Sequence, residues 1–143
     1  MDINTRKDEK VLNKENIIHF PEGLIGFESL KDYNVLSSET EKDLHWLQPA
    51  EAPDIEFAVT FPQIFQINYE LTLTDDEEKL LKIEDGDELI VLVTLSKKTK
   101  ARENETLLNA NFIAPIIINF NKQLGFQKIL TQEKNPITIT MKG

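Results

Sequence analysis

The side chains able to perform chemistry in this chain are mostly carboxylates, because 25 Asp and Glu residues accompany only two histidines and no cysteine. Each histidine stands beside an aromatic residue, in the pairs His19-Phe20 and His45-Trp46. Neither has a second histidine or a cysteine at the spacing that zinc sites use. We therefore predict structural or surface histidines and no metal site. The lack of cysteine also excludes disulfides and a thiolate nucleophile.

Two acidic runs, residues 75–78 and 84–88, hold enough carboxylate oxygens to suggest calcium, but neither has the spacing of an EF-hand loop. Two carboxylates that converge in a cleft could instead make the protein a small paired-carboxylate hydrolase, and this alternative stays open because the sequence does not give their separation. Nucleophile elbows, phosphate-binding loops and dinucleotide fingerprints are all missing. We predict that the protein is not an enzyme, with no catalytic residues and no cofactor.

The acidic residues are concentrated in the first part of the chain. Residues 1–88 contain 22 acidic and 8 basic residues, whereas residues 89–143 contain 3 acidic and 8 basic residues, for a net charge of −9. Because carboxylates repel phosphates, this charge disfavours direct nucleic-acid binding and favours a basic protein partner, although it could serve solubility alone. The basic run at 97–102 has no aromatic residue for base stacking. A small RNA-binding β-barrel is kept as an alternative.

The length and composition predict a single globular domain over residues 1–143, of which residues 1–10 could be flexible. Hydrophobic residues make up 40% of the chain, as in ordinary globular proteins. No apolar run approaches the roughly 20 residues that span a bilayer, and no apolar signal segment follows Met1. We expect a cytoplasmic monomer that does not interact with membranes.

Short β-rich segments separated by turn residues predict a mainly β fold. Residues 89–93 are apolar on both faces of a strand, which predicts a central position in the sheet. Thr74 and Glu77 match a capping box and predict one short α-helix over about residues 75–83, with Gly86 in a left-handed C-terminal position or in the turn to the next strand. The predicted strands cover residues 16–20, 32–36, 44–48, 57–61, 64–68, 89–96, 106–110, 115–119, 126–130 and 137–141.

Residues 20–27, Phe-Pro-Glu-Gly-Leu-Ile-Gly-Phe, combine a proline and two glycines with apolar side chains. Pro21 fixes φ, while Gly23 and Gly26 permit positive φ or a close backbone approach, so we predict a sharp turn. We expect its main role to be structural. The alternative is that the exposed parts of Leu24, Ile25 and Phe27 form a docking surface.

The turn is the first of several landmarks, and a second run near the other end reads Asn-Phe-Ile-Ala-Pro-Ile-Ile-Ile-Asn at residues 111–119. The others are Tyr33, Trp46-Leu47-Gln48, Phe57-Ala58-Val59 with Pro62, Tyr69, and Gly125-Phe126-Gln127-Lys128-Ile129-Leu130. Together these motifs resemble the FliW family of flagellar assembly factors over nearly the whole chain. The chain departs from the family pattern at Pro49, where serine is common, and at Phe126, where a polar residue is common.

The resemblance implies a single-domain antiparallel β-barrel-like fold and a non-enzymatic regulator of flagellar assembly. It also implies two alternative partners, flagellin and the RNA-binding translational repressor CsrA. Accumulated flagellin would occupy the protein and leave CsrA to block flagellin mRNA. After flagellin export, the protein would capture CsrA and translation would resume.

The carboxylates between residues 39 and 88 fit such a basic, RNA-binding partner, since they would attract it and repel its RNA. The candidate partner-binding residues are Leu24, Ile25, Phe27, Asp54, Glu56, Asp75, Asp76, Glu77, Glu78, Asp85 and Asp87. The candidate structural positions are Phe20, Pro21, Gly23, Gly26, Pro115, Asn119 and Gly125.

Overall fold

The structure is a computed structural model that describes residues 2–4, 17–38, 43–65, 67–68, 70–98, 107–130 and 140–141. These residues form eleven strands, one 3-10 helix and one α-helix. The elements are β1 (Asp2–Asn4), β2 (Ile17–His19), β3 (Asp32–Ser37), β4 (His45–Pro49), β5 (Phe57–Thr60), the 3-10 helix (Pro62–Phe65), β6 (Ile67–Asn68), β7 (Glu70–Thr72), α1 (Asp75–Leu80), β8 (Leu89–Lys98), β9 (Leu107–Asn119), β10 (Leu124–Gln127) and β11 (Thr140–Met141).

Seven strands close into a barrel in the order β10-β2-β3-β4-β5-β8-β9, with β9 pairing back to β10. Every neighbouring pair is antiparallel except β10 and β2, which are parallel and meet at Leu124 and His19. The predicted mainly β, barrel-like fold with one short helix is therefore confirmed. The parallel pair is a departure from the expected antiparallel arrangement, and it closes the barrel.

Strand β8 has apolar residues on both faces because it lies between two hydrophobic cores. Ile90 and Leu92 point into the barrel interior, among side chains from β2, β3, β4 and β9. Val91 and Val93 belong to a second core outside the barrel wall, which includes Leu81 after α1. The prediction that residues 89–93 form a central strand is confirmed, since all but Leu89 are buried.

Strand β9 corrects the prediction of separate strands at 106–110 and 115–119, because it runs unbroken from Leu107 to Asn119. Its register shifts where Leu92 pairs with Ile116 but Thr94 pairs with Asn111, so residues 112–115 lie opposite Val93 alone. The side-chain oxygen of Asn111 accepts the N–H groups of Ile113 and Ala114 at 3.1 and 3.2 Å. Pro115, the last residue of this stretch, has no N–H that could be left unpaired. The residues between the two predicted strands therefore form a large bulge.

Other element boundaries differ from the sequence prediction. The predicted strand 64–68 is the end of the 3-10 helix followed by the short β6, and the predicted strand 126–130 begins and ends earlier, as β10. Of the predicted strand 137–141, only β11 lies within the described residues. Strands β1 and β7, which were not predicted, pair with each other, and the rest of residues 1–10 lies outside the description.

Helix α1 begins as predicted and ends sooner. The hydroxyl of Thr74 accepts the N–H of Glu77 at 3.2 Å, and the Glu77 carboxylate accepts the N–H of Thr74 at 2.8 Å, so the capping box is present. The helix ends at Leu80 rather than near Ile83 because Lys82 takes a positive φ of 51°. Gly86, with φ of 87°, instead serves the turn that leads into β8.

Candidate partner-binding surface

The segment between β2 and β3 is a chain of three hydrogen-bonded turns. Gly23 donates its N–H to the Phe20 carbonyl at 2.9 Å, Phe27 to Leu24 at 2.8 Å, and Leu30 to Phe27 at 3.1 Å. Proline at the second position suits the first turn. The positive φ of 86° at Gly26, in the third position of the next turn, is the mark of a type II turn. The sequence therefore predicts this backbone correctly.

Gly23 is required for space as well as for conformation. Its φ is 68°, and a Cβ atom there would stand 2.7 Å from the Cα of Glu28 and 2.8 Å from the carbonyl oxygens of Phe27 and Glu28. All three of these atoms belong to the backbone, so they cannot move away by a side-chain rotation. The predicted close approach is thus present at Gly23, whereas a Cβ at Gly26 would meet nothing within 4 Å.

The two long motifs meet in space through Gln127, which the sequence analysis named in a landmark run but did not include among the candidate residues. Its side-chain oxygen accepts the N–H of Ile25 at 2.8 Å, and its side-chain nitrogen donates to the carbonyl of Ala114 at 3.0 Å. One amide therefore holds the turn against the bulge of β9. Nearby, Gly125 leaves room for the ring of Phe20, which a Cβ would approach to 2.5 Å.

The turn exposes only part of the predicted docking surface. Leu24 is 3% exposed and belongs to the barrel core, which corrects its assignment as a docking residue. Ile25 and Phe27 are 48% and 36% exposed. The ring of Phe27 packs edge-on against Phe57, with ring centroids 5.0 Å apart. Two further exposed isoleucines, Ile113 and Ile129, were not among the candidates. Ile129 falls in a predicted strand, where an apolar residue is normally assigned to the core, and Ile113 falls between two predicted strands.

The candidate carboxylates come from separate segments and differ in exposure. Asp54 and Glu56 are exposed in the loop between β4 and β5, which leads directly into Phe57. Asp75 and Asp76 are exposed on the first turn of α1, where they favour the positive end of the helix dipole. Asp85 is exposed in the turn after the helix, and Glu78 is half-buried. The predicted acidic region is therefore divided among separate loops.

The Glu77 carboxylate is held by partners within the fold, and its side chain is only 15% exposed. Its two carboxylate oxygens accept from the Nζ of Lys128 at 2.7 and 2.9 Å, and the lysine is buried. Since the same carboxylate also closes the capping box, it ties α1 to the segment after β10. Glu77 is thus poorly placed for a partner, which corrects its inclusion among the candidates.

The Asp87 carboxylate is also bound by groups of the protein itself. Its carboxylate accepts the N–H of Glu84 at 2.9 Å, the side-chain N–H of Asn119 at 3.0 Å and the Nζ of Lys122 at 3.0 Å. These donors lower the pKa of Asp87, and the N–H of Glu84 has the largest effect. The hydrogen bond to Asp87 in turn raises the pKa of Lys122. The carboxylate is nearly buried, so its inclusion as a partner-binding residue is also corrected.

Asn119 connects this network to the helix. Its side-chain nitrogen donates to the carbonyl of Leu81 at 2.9 Å as well as to Asp87. It therefore pins the end of α1 and the following turn to the end of β9. Pro115, whose carbonyl accepts the N–H of Lys128 at 3.0 Å, joins β9 to the same segment.

The histidines are placed as expected for structural and surface residues. Exposed His19 pairs with Asp32 at 2.8 Å, and buried His45 packs edge-on against Phe61. Among the residues the structure describes, no cluster of three or more His, Cys, Asp or Glu could hold a metal ion. Within the same residues, no helix has the length and apolarity to cross a membrane.

Comparison with known proteins gives a consistent result. A family model described as "FliW protein" matches residues 3–141. The chain is 34% identical over 137 residues to "Flagellar assembly factor FliW" of Thermosipho africanus, covering 96% of this chain and 92% of that protein. It is 33% identical over 129 residues to "Flagellar assembly factor FliW 1" of Desulfotalea psychrophila, covering 90% of this chain and 89% of that protein. The structure titled "Crystal structure of the flagellar assembly factor FliW" is similar with a TM-score of 0.69 and 28% identity, covering 94% of this chain and 91% of that one.

Proposed function

Because this chain belongs to the FliW family, whose model matches residues 3–141, we propose that it is a non-enzymatic regulator of flagellar assembly. It binds flagellin and, alternatively, the translational repressor CsrA. Bound flagellin leaves CsrA available to repress flagellin mRNA. When flagellin is exported, the protein captures CsrA and relieves the repression. The switch operates in the cytoplasm, where the mRNA is translated, and uses no cofactor.

The observation that carries this proposal is the combination of exposed apolar and acidic side chains at the turn. Ile25 and Phe27 are exposed, and Phe27 packs on Phe57, the residue that follows Glu56. Apolar side chains supply contact area for a protein partner, while carboxylates disfavour a phosphate backbone. The surface therefore suits a protein with apolar and basic groups better than it suits RNA.

Exposed carboxylates near the bound repressor would also repel its RNA. Charges beyond about 8–10 Å are largely screened at physiological salt, so only carboxylates near the bound repressor affect its RNA. Asp54 and Glu56 are exposed and come just before Phe57, which contacts Phe27 of the turn. They speed the association with a basic protein and make the bound complex unfavourable for RNA.

The partner switch is tested by calorimetric titration of the protein with CsrA, repeated after saturation with flagellin. We expect binding of CsrA that flagellin abolishes. Binding of both proteins at once would contradict the exclusive switch. Failure to bind either protein would refute the proposed function.

The charge mechanism is tested separately by measuring the association rate of CsrA at several salt concentrations. In the wild type we expect the rate to fall with salt, and the double variant Asp54→Asn/Glu56→Gln should associate about 3- to 10-fold more slowly at low salt. Asp85→Asn is the control, because Asp85 is equally acidic and exposed but lies in the turn after α1. A rate independent of salt would show that charge does not steer the association.

A further inference from the structure

The side-chain amide of Gln127 joins three segments that each carry an exposed isoleucine. Ile25 donates its backbone N–H to this amide, and the amide donates to the carbonyl of Ala114, which follows Ile113. Ile129 lies two residues beyond Gln127. The buried residues on either side of it, Lys128 and Leu130, face the second core and α1, so Ile129 points away from them. We call Ile25, Ile113 and Ile129 the isoleucine patch.

The patch differs from a scatter of single exposed apolar residues, because the hydrogen bonds of Gln127 hold together the three segments that carry its members. Ile25 lies in the turn, Ile113 in the bulge of β9 and Ile129 after β10. The exposed fractions are 48%, 51% and 37%. Apolar side chains that the fold gathers and leaves exposed are typical of a contact surface.

Exposed carboxylates accompany the patch on the side of the turn. On the side of the turn, Phe27 packs against Phe57 at the end of the acidic loop between β4 and β5. The exposed acidic residues on this side are Glu22, Glu28, Glu51, Asp54 and Glu56.

We propose that the isoleucine patch binds an amphipathic helix of a protein partner, with apolar side chains on the isoleucines and Lys or Arg side chains on the flanking carboxylates. This inference deepens the proposed function and rests on it for the existence of a protein partner. Charge complementarity selects the occupant, since an apolar surface with an acidic flank attracts a basic segment.

The surroundings disfavour two other occupants. A second copy of this chain would bring its own acidic flank against the first, and each copy carries a net charge of −9. An added β-strand needs a row of unpaired backbone groups along an extended edge. Ile25 lies in a tight turn, and the N–H groups of Ile113 and Ala114 are already bonded to Asn111. A helix face needs only side-chain contacts, which the patch offers.

The probe is a designed helical peptide with leucines on one face and lysines on the other, titrated into the full-length protein. Two comparison peptides separate the contributions: one has alanines in place of the leucines, and the other has glutamates in place of the lysines. Ile113→Ser tests the patch. Ile17→Ser is the matched control, because Ile17 is 53% exposed and lies on β2. Amide shifts in NMR spectra report the site of contact.

We expect the leucine–lysine peptide to bind the wild type and Ile17→Ser alike, and to bind Ile113→Ser at least about 10-fold more weakly, because half of an isoleucine side chain loses its apolar contact. Both comparison peptides should bind at least about 10-fold more weakly than the leucine–lysine peptide. The NMR shifts should centre on Ile25, Ile113 and Ile129.

Equal binding to Ile113→Ser and Ile17→Ser, or equal binding of the lysine and glutamate peptides, would overturn the inference. The absence of any binding by the leucine–lysine peptide would overturn it as well. The proposed function is tested separately, by the binding of CsrA and flagellin. If CsrA or flagellin binds Ile113→Ser as tightly as the wild type, the patch is not the site while the proposed function stands; if neither protein binds the wild type, the proposed function fails.

Discussion

Replacement of Gly23 by alanine tests the backbone of the turn most directly, because the structure assigns it two separate costs. The first is the positive φ of 68°, which costs a residue with a Cβ about 1–2 kcal/mol. The second is the position of that Cβ, 2.7–2.8 Å from backbone atoms of Phe27 and Glu28. Because the backbone must move to relieve this overlap, the second cost is about 1–3 kcal/mol of folding free energy.

Gly26→Ala is the matched control, because it shares the first cost and lacks the second. Its φ is 86°, and its Cβ would meet nothing within 4 Å. Alanine also reduces the entropy of the unfolded chain by a similar amount in both variants, so this term cancels in their difference. The difference between the two variants therefore isolates the contact with Phe27 and Glu28.

We expect Gly23→Ala to lower the free energy of unfolding by about 3 kcal/mol and Gly26→Ala by about 1 kcal/mol. In a domain of this size, these losses correspond to falls in Tm of about 10 °C and about 3 °C. Urea unfolding gives the free energies, and differential scanning calorimetry gives Tm. An equal loss in the two variants, or a larger loss in Gly26→Ala, would refute the structural account of the turn.

Three further variants test the interior. Lys128→Met should lower the free energy of unfolding by about 3 kcal/mol, since it leaves the Glu77 carboxylate unpaired, and a second change, Glu77→Gln, should restore part of the loss; no recovery in the double variant would contradict the ion pair. Tyr33→Phe should leave stability unchanged or raise it by up to about 1 kcal/mol, because the buried hydroxyl has no hydrogen-bond partner among the described residues; a clear loss would reveal a bond to the hydroxyl. The lowered pKa of Asp87 stabilises the fold fully above its ordinary value of 3.8, and this contribution is lost as the pH falls through the lower folded pKa. Relative to Asp87→Asn, the wild type should lose its advantage on acidification, and a constant advantage down to low pH would show that Asp87 is not the titrating group.

Local patterns predicted the parts of the fold that are decided locally. The capping box at Thr74 and Glu77, the apolar strand at 89–93 and the proline and glycines of the turn each involve residues within a few positions of one another. The contacts that assemble the candidate site join residues far apart in sequence. Gln127 is 102 residues from Ile25, and Lys128 is 51 residues from Glu77.

For the same reason, the sequence assigned some side chains to the wrong surroundings. Glu77 and Asp87 read as exposed acids of a charged run, but a buried lysine and a set of amide donors, which no local pattern reveals, hold them inside. Ile113 lies between two predicted strands and was not among the candidate residues, and the bulge opposite Val93 leaves it on the surface. The fold class and the helix follow from periodicity and capping, whereas the surface depends on tertiary pairing.

The structural and docking roles of the turn, which were alternatives in the sequence, are divided among different atoms of the same segment. The hydrogen bonds and the buried Leu24 fix the backbone, and the type II turn then directs Ile25 and Phe27 outward. A change at Gly23 therefore disturbs the fold and the surface together, so loss of binding in Gly23→Ala alone is uninformative. A change at Ile25 affects only the exposed side chain. Ile25→Ser should keep the Tm within about 2 °C of the wild type and weaken partner binding, and a fall in Tm as large as that of Gly23→Ala would show that the exposed side chain is structural after all.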